Sequence, residues 1–279
     1  MWSRLALLPL FAAVFAEAPR PRPGFEGLAL RVTSQGATGT GEARDRSLGL
    51  EVTGNFPLAQ SGDWRYDWGF RYAQTRHDWA DAPLAFDLVR GASLNLSGYA
   101  ATAAGRTRYA VLQVNADAAE GAALGGALTV QALYGADWHR SETFTVGYLF
   151  LAETRAVRSP MVLVVPTFRW RFAPEWSLGT GRKSLVLERR CDDVWRASLT
   201  LAFQQEEARL ADVAGQRQDF ESERTAALLG LRRDVPGRVD ELTLGWAFRA
   251  QARRDLGGVE SEFDLAPGLV LGFTSRWRF

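Results

Sequence analysis

The feature that most constrains the fold of this chain is an alternation of apolar and polar residues with a period of two. Between Trp64 and Tyr72 every even position is aromatic, while the odd positions hold arginine, aspartate or glycine. Successive side chains of a β-strand point to opposite faces, so the segment predicts a strand with one aromatic and one polar face. The same pattern recurs at 48–56, 162–172, 195–204, 242–249 and 269–279. Because the apolar residues lack helical spacing, the chain is predicted to be all-β.

The first 23 residues are predicted to lie outside the fold. Arg4 precedes an apolar run from Leu5 to Phe15, which is too short to span a bilayer but suits the core of a secretory signal. We expect residues 1–16 to be a signal peptide cleaved after Ala16, and residues 17–23 to be a Pro/Arg-rich linker. Residues 24–279 then form a single domain outside the cytoplasm.

Composition excludes several classes of protein. The 279 residues include 33 Lys plus Arg and 32 Asp plus Glu, so a formal net charge of +1 gives no support to a nucleic-acid partner. The single cysteine, Cys191, excludes a disulfide framework and a multi-cysteine zinc module. No apolar run is long enough for a transmembrane helix. We therefore expect no nucleic-acid binding, no metal and no cofactor.

Two architectures fit repeated alternating strands, and they differ in which face is apolar. A soluble β-sandwich or barrel turns its apolar face inward, whereas a membrane barrel turns it toward lipid and lines its lumen with polar residues. Tryptophans near the predicted strand ends favour the membrane barrel, because aromatic girdles mark membrane interfaces. They are Trp64, Trp138, Trp176, Trp195 and Trp277. A soluble extracellular β-protein is the alternative.

The C-terminal segment carries a resemblance to a known class. Leu271, Phe273, Trp277 and the final residue Phe279 alternate along the last strand, and Ser275 interrupts the pattern. This strand resembles the C-terminal strand of Gram-negative outer-membrane proteins, which the barrel-assembly machinery recognises. More narrowly, residues 162–188 and this strand resemble an uncharacterised outer-membrane barrel family, known only as a domain of unknown function. The resemblance implies a Gram-negative outer-membrane location, with membrane lipid and the assembly machinery as partners, but no activity.

The strand count follows from topology. We predict a transmembrane antiparallel up-and-down β-barrel of about 14 strands, with 12 as the alternative, since single-chain bacterial barrels have even strand numbers. The segment 176–190 is split at residues 181–183, because one long strand would make the total odd. With both termini in the periplasm, residues 207–221 and 253–264 become long outer loops.

The polar strand faces suggest a lumen rich in arginine. The predicted inward residues hold nine arginines against two acids, and an arginine-lined pore favours anions. They are Arg31, Glu51, Arg65, Asp67, Arg71, Arg169, Arg171, Arg196, Arg249, Arg276 and Arg278. The first hypothesis is a porin-like passive diffusion channel for a small anionic solute. The alternative is a plugged barrel, in which these charges pair with each other and with carboxylates of the segments 206–209 and 219–224.

Two further hypotheses concern other classes of function. A hydrolase needs a nucleophile beside a base, and the only histidines are His77 and His139. Ser141 near His139 is commonplace, and the topology places Asp192 and Asp193 at the barrel end opposite His77. We therefore predict no catalytic residues and no enzyme activity. The remaining hypothesis is a structural or ligand-binding barrel that acts through its extracellular loops.

Overall fold

The computed structural model describes residues 27–37, 43–82, 84, 86–102, 105–155, 159–181 and 184–278. The expected signal peptide and linker lie outside these residues, as does Phe279. The described strands are β1 (Gly27–Ala37), β2 (Arg44–Ser61), β3 (Trp64–Ala80), β4 (Leu88–Thr102), β5 (Arg106–Ala119), β6 (Leu128–His139), β7 (Phe144–Glu153), β8 (Met161–Trp170), β9 (Trp176–Thr180), β10 (Ser184–Arg190), β11 (Trp195–Val213), β12 (Gln216–Val235), β13 (Arg238–Leu256), β14 (Val259–Leu265) and β15 (Gly268–Arg278).

The strands close into an antiparallel barrel of 14 strands. Each strand from β1 to β13 pairs with the next, and β15 pairs with both β13 and β1, which closes the ring. The short strand β14 pairs with β13, forms a single parallel bridge from Leu265 to Ala43, and lies outside the ring. The predicted fold is confirmed, as is the division of 176–190 into two strands. The only described helical segment is a single 3-10 turn at Leu124–Ala127.

The apolar face of the sheet is on the outside. Large apolar side chains such as Leu94, Val164 and Leu199 are 63%, 65% and 49% exposed, whereas inward Ser93, Ser97 and Thr167 are buried. This is the arrangement of a membrane barrel and the reverse of a soluble one. We call the outward apolar surface the apolar belt. The described part of the chain contains no helix with the length and hydrophobicity needed to cross a membrane.

The two ends of the barrel differ. β1 begins and β15 ends at one end, which we call the terminal end, and the opposite end is the far end. Outward aromatic rings cluster toward the terminal end. Three of them stack or tilt against one another there, Trp170, Phe172 and Trp176. On β3 the outward residues beyond Tyr72 are Gln74, Arg76 and Asp78, all exposed, so the apolar belt ends before this part of the strand.

The two segments expected to be long outer loops are mostly strand, so that expectation is wrong. Residues 207–221 continue β11 and β12 through a two-residue turn at Ala214 and Gly215, whose φ angles are 52° and 78°. Residues 253–264 form the end of β13 and most of β14 around Gly257 and Gly258, with φ angles of 60° and 89°. Positive φ at both central residues is the mark of a type I′ hairpin turn, which continues strand twist rather than opening a loop.

The far part of β11 and β12 leaves the barrel wall and crosses the far mouth. β11 pairs with β10 only as far as Ala202, and beyond this point Arg209 forms a parallel bridge with Ala118 of β5. Around the ring, β11 and β5 are separated by β6 to β10. We call residues 203–225 the crossing hairpin. By joining β5, it closes the far end into a smaller ring above the shorter strands β6 to β10.

Candidate functional site: the barrel interior

The interior carries arginines held by carboxylates of adjacent strands or of the strand after next. Arg71 on β3 lies 2.6 Å from Glu51 and 3.3 Å from Asp117. Arg196 on β11 lies 3.3 Å from Glu188 and 3.1 Å from Asp234. Each guanidinium therefore shares its charge with two acids.

Other predicted lumen arginines on β1, β3 and β15 also lie near carboxylates, on the same strand or on the adjacent one. Arg65 Nε donates to Asp67 Oδ1 at 3.3 Å, and Asp67 is buried. Arg276 lies 3.8 Å from Glu241 of β13, which is its neighbour across the ladder. Arg31 faces Glu51 and Thr274 in the β1 register.

The predicted residues Arg169, Arg171 and Arg278 are exposed at the terminal end. Arg169 shares the inward face of β8 with buried Thr167, while Arg171 follows the strand and donates to the backbone oxygen of Glu142 at 3.3 Å. Arg278 lies opposite Gly27 at the end of β15. These three side chains form the arginine-rich rim of the barrel rather than its middle.

Arg249 departs from the inward face because of a β-bulge. The β12–β13 register places Ala226 opposite Ala247 but Thr225 opposite Arg249, so Phe248 is an extra residue on β13. A bulge of this kind reverses the alternation that follows it. Thr225 lies on the outward face that also carries Leu229, and Arg249 is accordingly exposed on that face. The inward orientation predicted from simple alternation therefore does not hold for residues of β13 beyond Phe248.

Sequence reasoning missed most of the interior acids. The ones that pair with named arginines are Asp117, Glu188, Asp234 and Glu241. Glu188, Asp234 and Glu241 lie on inward faces at diagonal positions of the adjacent strand, where opposite charges stabilise a sheet. Asp117 instead reaches Arg71 across β4, beside Gly91. Reading the alternation of β5, β10, β12 and β13 as pairs rather than single strands would have found them.

A second charged cluster spans the interior near the far end. His77 Nδ1 lies 3.1 Å from Asp45 Oδ1, and His77 Nε2 lies 3.2 Å from Glu206 Oε1. Arg224 Nη2 donates to the second oxygen of Asp45. His77 is on β3 and Glu206 is on β11, which are at least five strands apart around the ring. A direct contact between them means that side chains bridge the barrel at this level.

The protonation of His77 follows from its surroundings. Its side chain is fully buried, and it lies beyond the apolar belt, between the exposed residues Arg76 and Asp78. Burial alone would lower the pKa of His77, but the carboxylates of Glu206 and Asp45 outweigh burial and raise it from 6.5 to about 10. The imidazolium thus acts as a fixed cation that ties the crossing hairpin to β2 and β3.

The other face of the crossing hairpin is held by Arg155, which follows β7. Arg155 Nε lies 3.2 Å from Glu207 Oε1, and Arg155 Nη2 contacts Glu221 and lies 3.4 Å from Glu223. The Arg155 side chain is 4% exposed. The segments 206–209 and 219–224 thus bring carboxylates into this region, where Glu206 pairs with His77 and Glu207 and Glu221 pair with Arg155.

Apolar side chains fill the far mouth beneath the crossing hairpin. Phe220 is fully buried, with its ring centroid 5.7 Å from that of Trp79 and 5.1 Å from that of Phe86. The cluster also includes Leu84, Val89, Leu210 and Leu265. These residues come from β3 to β5 on one side and from β11 to β14 on the other, so the far mouth is closed by a packed core.

The inward face of β5 to β8 is apolar in its middle, contrary to a uniformly polar lumen. Tyr109, Val111, Leu133 and Leu149 are buried together, and Val165 packs against them. The segment 161–165 reads Met-Val-Leu-Val-Val, so both faces of β8 are apolar there. The period-two pattern does not reveal this patch, because residues 161–165 are apolar on both faces of the strand.

The residues considered for catalysis are dispersed. His139 Nδ1 lies 3.0 Å from Thr145 Oγ1, and the Ser141 hydroxyl contacts Thr143 at 3.2 Å. Asp192 accepts from the Val194 and Trp195 amides in the turn before β11, at the terminal end. His77 lies at the far end. Within the described ranges, no group of three His, Cys, Asp or Glu residues could hold a metal ion.

The residues of the expected assembly signal lie on the outward face of β15. Leu271 and Phe273 are 42% and 39% exposed, and Trp277 continues the same face. Ser275 interrupts this face and is buried, because its hydroxyl donates to Asp240 Oδ1 at 2.6 Å. Phe279 lies outside the described residues.

Comparison with known proteins gives only overall likeness. The chain matches no protein-family model and no curated protein. An outer membrane channel from Pseudomonas putida F1 is 11% identical, over 96% of this chain and 100% of that one, with a TM-score of 0.49. The Pseudomonas putida toluene transporter TodX is 9% identical over 91% and 90%, with a TM-score of 0.44. The NanC porin is 8% identical over 90% and 100%, with a TM-score of 0.41.

Proposed function

We propose that this protein is an integral outer-membrane barrel that serves as a narrow passive diffusion channel. The observation that supports the proposal is the inversion of the barrel, with large apolar side chains exposed outside and polar ones inside. A closed sheet with this polarity satisfies its backbone within lipid and leaves a polar interior for a solute. The secretory signal expected from the sequence and the outward pattern Leu271, Phe273, Trp277 support the outer-membrane location, with the terminal end in the periplasm.

The open part of the interior is on the side of β11 to β15 and β1. Its inward residues are small and hydroxylated, and they are partly accessible to solvent. They include Thr33, Ser198, Thr200, Gly230, Thr243 and Gly272. This side offers a path for a small solute, whereas the inward face of β5 to β8 is filled by the buried apolar cluster that includes Tyr109 and Leu133. Because the lumen arginines pair with acids, we propose a weak preference for anions rather than a strong one.

The test is single-channel recording in planar bilayers. We expect the wild-type barrel to give a small conductance, limited by the closed far mouth. Replacing residues 207–221 by Gly-Gly keeps the pairing of Glu206 with Ser222 and removes the crossing segment. This variant should conduct more strongly. Absence of conductance from both proteins, when heat-modifiable migration shows folded barrels, would refute a channel.

A matched control uses the neighbouring hairpin. Replacing residues 255–260 by Gly-Gly shortens the β13–β14 hairpin in the same way. The pairing of Arg254 with Ser261 is kept, so the new turn joins two residues that are already neighbours. Val259 in the tip of this hairpin is 72% exposed, and the tip pairs with the turn end of the crossing hairpin at Asp255 and Leu256. The conductance of this variant should therefore stay well below that of the 207–221 variant.

A second candidate function follows from the closed far mouth. A barrel sealed by Phe220, Trp79 and Phe86 could act as a scaffold that presents its far-end hairpins to a ligand or partner. In that case the 255–260 replacement would abolish partner binding, and neither hairpin variant would conduct.

A further inference from the structure

The outward face of the barrel carries arginines beside tryptophans at its terminal end. The guanidinium carbon of Arg106 lies 5.1 Å from the ring centroid of Trp138, which is its partner across the β5–β6 ladder. The guanidinium carbon of Arg238 lies 6.0 Å from the ring centroid of Trp277, which is its partner across the β13–β15 ladder. Tryptophan is enriched at the border between membrane and water, and a cation over its ring is attracted to it. These pairs therefore mark the height at which lipid headgroups begin.

A further arginine, Arg108, lies on the same outward face of β5, two residues from Arg106. It shares this face with Leu112, which is 49% exposed in the apolar belt. At about 3.3 Å per residue, the Cα atoms of Arg108 and Leu112 are roughly 13 Å apart along the strand. Arg108 thus lies near the border between the apolar belt and the aromatic rings of the terminal end.

Small residues flank Arg108 across the ladder, and aromatic residues follow them. The partners of Arg108 are Ala100 on β4 and Ala136 on β6, and both alanines are buried although they lie on the outward face. Larger side chains therefore cover them. The next residues in this row are Trp64 on β3 and Tyr148 on β7. We call this row of five residues the outer arginine patch.

The sheet supplies no counter-charge to Arg108. The outward positions across from it and diagonal to it are all uncharged, and they are held by Gly98, Ala100, Thr102, Tyr134, Ala136 and Trp138. Arg108 Nε is buried without a hydrogen-bond partner among the described residues, while the side chain as a whole is half-buried. Arg71 and Arg196 in the interior, in contrast, each lie within 4 Å of two carboxylates. The guanidinium of Arg108 is thus available to an anion from outside the chain.

Arg238 shows the same arrangement with a counter-charge present. Arg238 Nε donates to Asp240 Oδ1 at 2.8 Å, on the outward face of β13. Leu242 is four residues from Arg238 and 56% exposed in the apolar belt, just as Leu112 is four residues from Arg108. The two sites share an arginine, a nearby tryptophan and a leucine in the belt. They differ in the carboxylate, which makes the second site a natural control for the first.

The chemistry of the outer arginine patch matches an anionic phospholipid. Guanidinium N–H groups fit the oxygens of a phosphate as a fork, with charge-assisted hydrogen bonds. A soluble anion would contact only the guanidinium, whereas the acyl chains of a lipid also cover the belt beside Leu112. A headgroup that carries its own ammonium would be repelled by the second cation, Arg106. A lipid with a net negative headgroup therefore suits the site better than a zwitterionic lipid or a free anion.

We propose that the outer arginine patch binds the headgroup phosphate of an anionic phospholipid in the leaflet at the terminal end, with Arg108 as the phosphate-binding residue. The bound lipid supplies the counter-charge that the sheet does not. The inference goes beyond the proposed channel function and rests on it only for the location of the barrel in a membrane.

Lipid selectivity is tested by fluorescence quenching at two matched positions. In a Cys191→Ser background, Leu112→Cys and Leu242→Cys are each labelled with bimane. The barrels are placed in phosphatidylcholine vesicles that contain the same small fraction of either brominated phosphatidylglycerol or brominated phosphatidylcholine. We expect brominated phosphatidylglycerol to quench position 112 several-fold more strongly than brominated phosphatidylcholine. The difference at position 242 should be clearly smaller, because Asp240 neutralises Arg238. Equal quenching by the two lipids at position 112, or the same preference at both positions, would refute the site.

Three substitutions assign the preference to a residue. Arg108→Gln removes the cation and should bring the ratio of quenching by the two lipids at position 112 close to one. Arg238→Gln makes the same change at the control site and should leave the ratio at position 112 unchanged. Asp240→Asn frees Arg238 from its carboxylate and should raise the ratio at position 242. A ratio at position 112 that survives Arg108→Gln would overturn the assignment.

The remaining outcomes separate the lipid from a free anion and this inference from the channel function. Excess inorganic phosphate at constant ionic strength should leave the ratio at position 112 unchanged, and its loss would show a site for a soluble anion instead. Equal quenching by the two lipids in a barrel that conducts ions would refute the lipid site alone. If heat-modifiable migration shows folded barrels but neither lipid quenches either position, the membrane location fails, and both proposals fail with it.

Discussion

At the scale of single residues, the interior is governed by pairing rather than by net charge. Arg71, Arg196 and Arg276 each lie within 4 Å of a carboxylate on an adjacent strand. Near the far end, His77 takes the role of a cation between Asp45 and Glu206. Burying these charged side chains costs desolvation free energy, which is offset only while the oppositely charged partner remains within contact distance.

The first prediction concerns the pH dependence of the far-end closure. Because the pKa of His77 is raised to about 10 in the folded barrel, its ion pairs contribute their full stabilisation below the ordinary value of 6.5. This stabilisation is lost as the pH rises through about 10. Conductance should therefore increase in that alkaline range for the wild type, and His77→Gln should lack the step. An increase centred near 6.5 would contradict the assignment of His77 as a buried cation.

The second prediction concerns the apolar core of the far mouth. Phe220→Ala removes a fully buried ring that packs against Trp79 and Phe86, and it should destabilise the barrel by about 3–5 kcal/mol in urea unfolding. Phe150→Ala is the matched control, since Phe150 is 40% exposed on the outward face and leaves no internal cavity. Equal losses for both variants would mean that the far mouth is not a packed core.

At the scale of elements, the unusual part of the barrel is the crossing hairpin. Its turn needs positive φ at Ala214 and Gly215, and its two faces are held by different partners, His77 on one and Arg155 on the other. The strands β9 and β10 are short in the sector that the hairpin leaves. The closure of the far mouth is thus a consequence of the departure of β11 from the wall.

The third prediction concerns this turn. Gly215→Val forces a β-branched residue into left-handed backbone, which should weaken the crossing hairpin by about 1–2 kcal/mol. Ala214→Gly should have the opposite sign, because alanine already occupies a positive φ. Amide hydrogen exchange of residues 203–225 measures both effects. Unchanged protection in Gly215→Val would show that the turn does not hold the hairpin in place.

At the scale of the whole molecule, the barrel is defined by an apolar belt outside and a polar or paired interior. Leu199 is 49% exposed, and Thr200, its neighbour in sequence, faces inward. The two positions on one strand therefore experience lipid and lumen respectively.

The fourth prediction uses this pair. Leu199→Arg puts a charge against lipid near the middle of the belt and should destabilise the barrel by about 2–4 kcal/mol in vesicles. Thr200→Arg places the same side chain in the interior and should cost clearly less. Urea unfolding followed by heat-modifiable migration measures both. A larger loss for Thr200→Arg would reverse the assignment of the two faces.

The sequence by itself determined the all-β class, the 14 strands and the division at residues 181–183, because alternation and turn residues are local signals. It also determined which residues of β3, such as Arg65, Asp67 and Arg71, share a face. The alternation pattern gave the wrong face for Arg249, because a β-bulge shifts the inward and outward positions that follow it. It also gave loops at 207–221 and 253–264, where the strands instead continue through type I′ turns.

Only the tertiary structure decided where the inward groups meet. The contact of His77 with Glu206 joins residues 129 positions apart in the chain, on strands from opposite sides of the ring. The departure of β11 toward β5 and the core around Phe220 also depend on closure of the whole sheet. Alternation specifies the face on which a side chain lies, but the barrel geometry sets its partner across the lumen.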